Sequence, residues 1–417
     1  MTTPRYLCAA LLCLCSAAQA QLRLPSLPLP QGLGTDLLRR PAERLLDSRV
    51  VNDVRELRRE LVDELLRRHP DVVEPDPRGE PAVRGEILAW SPTPAGLAAA
   101  RELGLVAVSE ERLDELDQVM VVLRVPAGAA TATLLAALRA ADPAGTYDFN
   151  HLYTGSGDAA GVPANGQRAG SVGLVDSGVD ADHPVFADAR VRREGCGAKA
   201  HPHAHGTAVA ALMVGRADRF EGATPDATLY AYDVYCDSPT GGSALRIGAA
   251  LAWMAQRKVG VVNVSLVGPP NEPLRRTVAA MVARGHLLVA AVGNDGPAAP
   301  PLYPASYPGV VGVTGVDRRG RPLPEAARGP QVMFAAPGSQ MVSAAPGAPP
   351  FRQVRGTSFA APIVAALLAP RLPQPDPAGA QAAIAALAKE AVPGTDRAAT
   401  GYGTVGTGVR IDPSAMR

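Results

Sequence analysis

Five short segments in the second half of the chain, residues 171–175, 229–234, 260–265, 287–292 and 310–316, are mostly apolar over their whole length. A strand with one wet face alternates apolar and polar residues, whereas a strand covered on both faces reads as a nearly unbroken apolar run. Helical stretches at 206–214, 244–256 and 273–284 separate these segments. The order predicts an α/β domain: a doubly wound, mainly parallel sheet with helices on both faces. No internal repeat competes with this reading, and 417 residues leave room for more than one domain.

The first half has a different texture. Residues 22–41 are rich in Pro and Leu and read as an irregular leader. Leucines and valines at helical spacing over 42–68, with both signs of charge between them, predict an amphipathic helix that His69-Pro70 stops. Residues 71–85 read as a Pro/Asp/Gly linker, so 21–85 is taken as leader plus helix. Over 86–153 the pattern is β-α-β-β-α-β, with strands at 86–90, 105–108, 118–125 and 146–153 and helices at 94–103 and 130–140. This is the split βαβ, ferredoxin-like arrangement of a small α+β domain. Residues 154–170 carry no periodicity and read as an exposed linker, followed by the α/β domain at 171–417. Within it, 376–391 is expected as a helix and 401–412 as a closing strand.

Residues 1–20 read as a cleaved export signal. Arg5 precedes a short apolar run over 7–18, and Ala18-Gln19-Ala20 gives small residues at the cleavage positions, with Gln21 as the new N-terminus. Cys8, Cys13 and Cys15 leave with it. Cys196 and Cys236 remain, and in an exported protein they are expected to pair, closing a loop of about 40 residues worth roughly 3–4 kcal/mol. Two free thiols are the alternative. Lys+Arg 41 against Asp+Glu 40, with 4% aromatic residues, gives no footprint for a nucleic-acid partner. No later segment has the length of a membrane anchor, so a soluble, secreted, monomeric product is expected.

Three segments carry chemistry. Asp176 ends the first apolar strand, where a buried carboxylate needs a cation or a histidine donor. His205, in His-Gly-Thr, opens an apolar helix. Ser358, in Gly-Thr-Ser-Phe-Ala-Ala-Pro, opens another, so unpaired backbone N–H groups and a positive dipole end lie beside its hydroxyl. Singly, each has a plainer reading: a turn former, a structural histidine, a helix cap. Together, acid, base and nucleophile follow one another in an order known for serine-protease triads.

With these motifs the chain from Ser171 onward resembles the subtilisin-like serine proteases, or subtilases. Asp176-Ser-Gly, His205-Gly-Thr and Gly356-Thr-Ser358-Phe-Ala-Ala-Pro362 match the family's three motifs. Val262-Asn263-Val264-Ser265-Leu266 resembles its substrate-flanking strand, Ala291-Val292-Gly293-Asn294 its oxyanion motif, and Ala335-Ala336-Pro337-Gly338 its Ala-Pro-Gly. The resemblance implies a serine-type endopeptidase without a cofactor. Ser358 would attack a peptide carbonyl, His205 would carry the proton, and Asp176 would orient the imidazole. Asn294 and the N–H of Ser358 would hold the oxyanion. Ser265, Leu266, Val267, Gly268, Ala291 and Gly293 would line the substrate site. Residues 86–153 would be a propeptide whose last strand, residues 148–153, adds to the substrate groove. Self-cleavage would then fall between Tyr153 and Gly170, and the partners would be peptide substrates and the chain's own propeptide.

Some positions depart from the family. Ala208 and Ala211 replace a His and a Gly after the base, and Val267 replaces a Gly, with two methyl groups expected at the pocket entrance. Residues 216–227 are short and lack the insertion that helps hold calcium in many relatives, so calcium has no motif to support it. Two other readings are weighed. His201 and His203 with Asp176 could ligate zinc, but a zinc enzyme needs neither Gly-Thr-Ser358 nor Gly-Asn294, and the two histidines are expected in an exposed loop with no metal. The front half could instead be an independent binding domain that stays attached, or a permanent inhibitor that makes the chain a protein that binds and does not cut. The helix at 42–68 has no role in either reading.

Overall fold

The computed structural model describes residues 53–155, 158–159, 170–197, 199–217 and 219–410. The export signal, the leader and the start of the expected helix at 42–68 lie outside the described residues. Helix α1 (Asp53–Arg68) comes first, then β1 (Val73–Pro75), β2 (Pro81–Trp90), α2 (Pro94–Glu102), β3 (Val106–Leu113), β4 (Gln118–Arg124), α3 (Thr131–Ala141) and β5 (Thr146–His151). The β-α-β-β-α-β order is present, in an antiparallel sheet ordered β1-β2-β4-β3 with β5 also on β2.

Residues 71–85 are not a linker. β1 and the start of β2 form a hairpin, Val73 facing Val83, so the sheet begins well before residue 86. A side chain closes the turn: Asp76 Oδ1 accepts from the backbone N–H of Arg78 and Glu80 at 2.7 and 2.9 Å. Proline and charge density signalled a loop, while the side-chain closure is invisible to periodicity.

Two tiny strands follow, β6 (Thr154–Gly155) and β7 (Asp158–Ala159), then the α/β domain. It comprises β8 (Ser171–Asp176), β9 (Arg190–Glu194), α4 (Ala204–Val214), a short hairpin of β10 (Arg216–Ala217) and β11 (Phe220–Glu221), β12 (Thr228–Asp233), α5 (Ala244–Gln256), β13 (Val261–Val264), β14 (Leu266–Val267), α6 (Glu272–Ala283), β15 (Leu287–Ala291), β16 (Val311–Val316), β17 (Val332–Pro337), β18 (Met341–Ala344), β19 (Phe351–Arg355), α7 (Thr357–Leu368), α8 (Pro377–Glu390) and α9 (Arg397–Thr400). Seven strands pair in the order β17-β16-β15-β13-β8-β12-β9, every pair parallel.

The apolar runs explain the two-sided cover. Along β8, Leu174 packs with α4, α7 and α8, while Val175 packs with α5 and α6. Leu287, Val289 and Ala291 face the first layer, and Leu288, Ala290 and Val292 the second. Helices α4 and α7 are buried nearly throughout, as helices apolar on all sides must be. The front sheet is two-faced as well. Ile87, Ala89, Val121 and Leu123 pack with its own helices, whereas Leu88, Leu113, Leu116, Met120 and Val122 join the core around α5 and α6. One continuous apolar core therefore spans the front sheet and the second helical layer.

The expected strand at 401–412 is absent from the described residues. Only Thr404 bridges, to Ala335 and Val392, and a 3-10 turn at Thr407–Val409 follows. Gly401, Gly403 and Gly406 take left-handed backbone angles that a strand cannot hold.

Candidate active site

In doubly wound sheets, ligands bind beyond the carboxyl ends of the strands, where the strand order reverses. Here the first strand, β8, sits centrally between β12 and β13, and Asp176 is its last residue. The carboxylate is fully buried. Its Oδ1 accepts from the backbone N–H of Ser177 at 2.6 Å, from Ser177 Oγ at 3.0 Å and from His205 Nδ1 at 2.7 Å.

His205 stands in the first turn of α4, and that turn is docked onto the end of β8. The backbone N–H of Gly206 donates to Ser177 Oγ at 3.0 Å. A Cβ on Gly206 would stand 2.0 Å from the carbonyl oxygen of Ser177, so the glycine after the histidine is required for this approach. His203 Nδ1 caps the helix by accepting from the His205 N–H at 3.2 Å. With Nδ1–H given to Asp176, a neutral His205 presents Nε2 as its acceptor nitrogen.

Ser358 lies one residue inside α7 and is fully buried. Its Oγ donates to the carbonyl oxygen of Ser265 at 3.3 Å. Phe359, next in the chain, has its ring 5.3 Å from the His205 ring, which sets the serine's helix against the histidine. Asn294 follows β15 by three residues. Its Oδ1 accepts from the Thr357 N–H at 3.1 Å, while Thr357 Oγ1 accepts from the Gly293 N–H at 3.2 Å. Anchoring the amide oxygen on the helix start leaves the Asn294 NH2 group to donate elsewhere. Ala291, the last residue of β15, is buried beneath this loop.

The groove edge is already occupied by the chain itself. The expected groove strand, residues 148–153, is not the one that pairs. Thr146–His151 stays in the front sheet as β5 on β2, and β6 instead pairs antiparallel with β14, Gly155 facing Leu266 and Thr154 facing Val267. A Cβ on Gly155 would lie 3.4 Å from both Cε1 and Nε2 of His205. Tyr153 just before is held on every side: its N–H donates to Gly242 O at 2.9 Å, its carbonyl accepts from Tyr235 Oη at 2.8 Å, and its own hydroxyl donates to Pro269 O at 2.8 Å. Its ring fills the space beside Gly268, and burial pushes its phenol far above the ordinary range. Farther on, β7 pairs with Val354–Arg355 at the end of β19, directly ahead of Ser358. Residues 156–157 and 160–169, the rest of the expected linker, lie outside the described residues.

The sequence did not point to Tyr235 and Gly242, the opposite wall of this groove, nor to a charge cluster beside Asn294. There Arg58 of α1 pairs with Glu80 and reaches Asp295 at 3.8 Å. Burial raises the Asp295 carboxyl to about 6, against the opposing pull of Arg58. A single acid after the asparagine motif and one of several arginines in a charged helix 237 positions earlier carry no pairing signal in one dimension.

Cys196 and Cys236 form a disulfide, S–S 2.01 Å, next to the turn in which Asp233 Oδ1 accepts from the N–H groups of Tyr235 and Cys236. His201 and His203 do not converge with Asp176 as ligands among the described residues. His203 is exposed in the loop ahead of α4, as expected, and its Nδ1 faces the His205 N–H and Ser177 Oγ, the latter at 3.1 Å, so it also supports the helix start.

The model of the subtilase family matches residues 167–403. Subtilisin E of Bacillus subtilis is 31% identical over 156 residues, 35% of this chain and 40% of that protein. The minor extracellular protease Epr of the same organism is 32% identical over 177 residues, 42% of this chain and 27% of Epr. The chain thus spans less than half the length of these curated relatives. Fervidolysin of Fervidobacterium pennivorans, a keratinolytic enzyme related to subtilisin, superimposes with a TM-score of 0.66 at 18% identity, over 81% of this chain and 62% of that one. The prenylagaramide maturation protease PagA gives 0.50 at 28% identity, over 57% and 90%. On the extent of the family match and the fold, the chain belongs to the subtilase family.

Proposed function

We propose that the chain is a secreted serine endopeptidase made as a self-processing zymogen. Ser358 is the nucleophile and His205 the base. Asp176 fixes the imidazole through Nδ1, and Asn294 with the Ser358 N–H stabilises the oxyanion. The observation that carries this reading is the antiparallel pairing of Thr154–Gly155 with Leu266–Val267, with Gly155 against the His205 ring. An extended strand bound by main-chain hydrogen bonds is how a protease reads a peptide. The front domain therefore acts as the propeptide, shielding α5 and α6 and feeding its exit strand into the groove.

Register narrows the cleavage zone. Gly155 faces Leu266, and Leu266 directly follows Ser265, whose carbonyl accepts the Ser358 hydroxyl. The bond hydrolysed then falls between the paired anchors Gly155 and Asp158. Export by residues 1–20 supplies the oxidising surroundings in which a Cys196–Cys236 bridge persists.

The test is expression of the full chain and of Ser358→Ala in a secreting host, with N-termini and intact masses read from the exported material. The expected result is a mature form starting between Ser156 and Asp158 for the wild type and an uncut form starting at Gln21 for the variant. Uncut wild type, or a processed Ser358→Ala produced without a second protease, overturns the reading.

A further inference from the structure

Helix α7 carries a proline at position 362, four residues after Ser358. In an α-helix the carbonyl of residue i accepts from the N–H of residue i+4, and proline has no N–H to give. The Ser358 carbonyl therefore lacks its helical donor, in a helix start that is fully buried. A buried carbonyl in that state finds another partner or destabilises its surroundings.

The partner comes from 93 residues away. Ser265 Oγ donates to the Ser358 carbonyl oxygen at 2.9 Å, while Ser358 Oγ donates to the Ser265 carbonyl oxygen at 3.3 Å. The two serines thus clasp each other through both side chains and both carbonyls. A hydroxyl has one proton. Since Ser265 spends it on Ser358, any further contact to its oxygen must come from a donor. Asn263 Nδ2 is that donor, at 2.8 Å. This chain of protons also fixes the orientation of the Asn263 amide. Asn263 is completely buried, and its Oδ1 has no hydrogen-bond partner among the described residues. An amide kept in the core at that cost, between valines that would pack better, has a task beyond packing.

We propose that Ser265, oriented by Asn263, is a positioning residue that supplies the hydrogen bond Pro362 removes beneath the nucleophile, locking Ser358 to the strand on which the substrate pairs. Ser265 immediately precedes Leu266–Val267, the segment paired with the exit strand. The clasp therefore couples two distances that catalysis needs together, nucleophile to helix and nucleophile to bound peptide. Displacements of about 1 Å at such a point cost on the order of a hundredfold in rate. The inference rests on Ser358 being the nucleophile.

The experiment is a cycle of full-length proteins: wild type, Ser265→Ala, Pro362→Ala and the double variant, with Ser265→Thr as the conservative control. Two rates are read. One is self-processing of the refolded chain, an intramolecular step with no KM. The other is turnover of a peptide substrate by whatever mature form results, separated into kcat and KM. Ser265→Ala is expected to slow processing and kcat by about tenfold or more with KM within about twofold, and Ser265→Thr to restore most of the rate. In the Pro362→Ala background, where residue 362 regains an N–H for the Ser358 carbonyl, Ser265→Ala is expected to cost less than about threefold.

An equal loss in both backgrounds overturns the inference, as does a loss confined to KM. Should Ser265→Ala not fold, Asn263→Ala is read in the same two backgrounds, with the same expectation and the same overturning outcome. Failure of the underlying reading looks different. Ser358→Ala would then still process itself, whereas a wild-type rate in Ser265→Ala beside a dead Ser358→Ala removes this inference alone.

Discussion

Gly155 of the front domain lies against the imidazole of His205, close enough that a Cβ on it would stand 3.4 Å from Cε1 and Nε2. A methyl group fits there at contact distance, but anything branched drives atoms into the ring. The closeness follows from β6 pairing on Leu266–Val267, which fixes the depth of the exit strand in the groove.

Gly155→Val is accordingly expected to slow self-processing by about tenfold or more, with Gly155→Ala much milder, since a displaced scissile bond loses its attack geometry. A time course of full-length and mature bands on refolding measures both.

Asn294 is expected to contribute only when the oxyanion forms. Asn294→Ser should lower kcat by about 10²–10³, or roughly 2.7–4 kcal/mol, a range established on the corresponding donor of subtilisin, with KM little changed. Because Asn294 Oδ1 also accepts from the Thr357 N–H, thermal melting of the same variant separates the loss of that bond from the loss of catalysis.

Asp295 gives a pH signature. Burial raises its carboxyl from 3.8 to about 6, with Arg58 opposing the rise and Glu80 adding to it. Between about pH 4 and 6 the native protein holds a proton that the unfolded chain has released, so stability falls as pH rises through this window. Asp295→Asn mimics the protonated form. In the Ser358→Ala chain it should raise stability at pH 7 by on the order of 1–3 kcal/mol and change little at pH 4. Denaturant melts at the two pH values check this, and a destabilised Asn variant at pH 7 would contradict it.

Asp76 has the opposite sign. Burial opposes its ionisation, but His151 Nε2 at 3.2 Å and the N–H groups of Glu80 and Arg78 hold it far below the carboxylate range. The stability it contributes is present above about pH 4 and drains away as pH falls toward the lowered value. Asp76→Ala should cost about 2–3 kcal/mol at pH 7 and weaken the hold of the front domain on Asn271, which donates to His151 Nδ1 and Phe149 O. Melts of the Ser358→Ala chain with and without the change read the cost.

The parallel sheet and its helices were legible in the sequence, and Asp176, His205, Ser358 and Asn294 stood out as candidates, because their signals are local. An apolar run reports two-sided burial, and Gly206 and Pro362 report approaches and interruptions that only those residue types allow. The hairpin at 73–85 was not legible, because a side chain closes it. Neither were the Tyr235 and Gly242 wall, the Arg58–Asp295 contact or the clasp between Ser265 and Ser358. Each joins residues far apart in sequence, and nothing at either partner alone specifies the other. What the sequence determined by itself is the chemistry each strand end and helix start could offer. Which carbonyl meets which hydroxyl, and that the chain's own Gly155 reaches its own His205, was decided only by the packing of one sheet against two layers of helices.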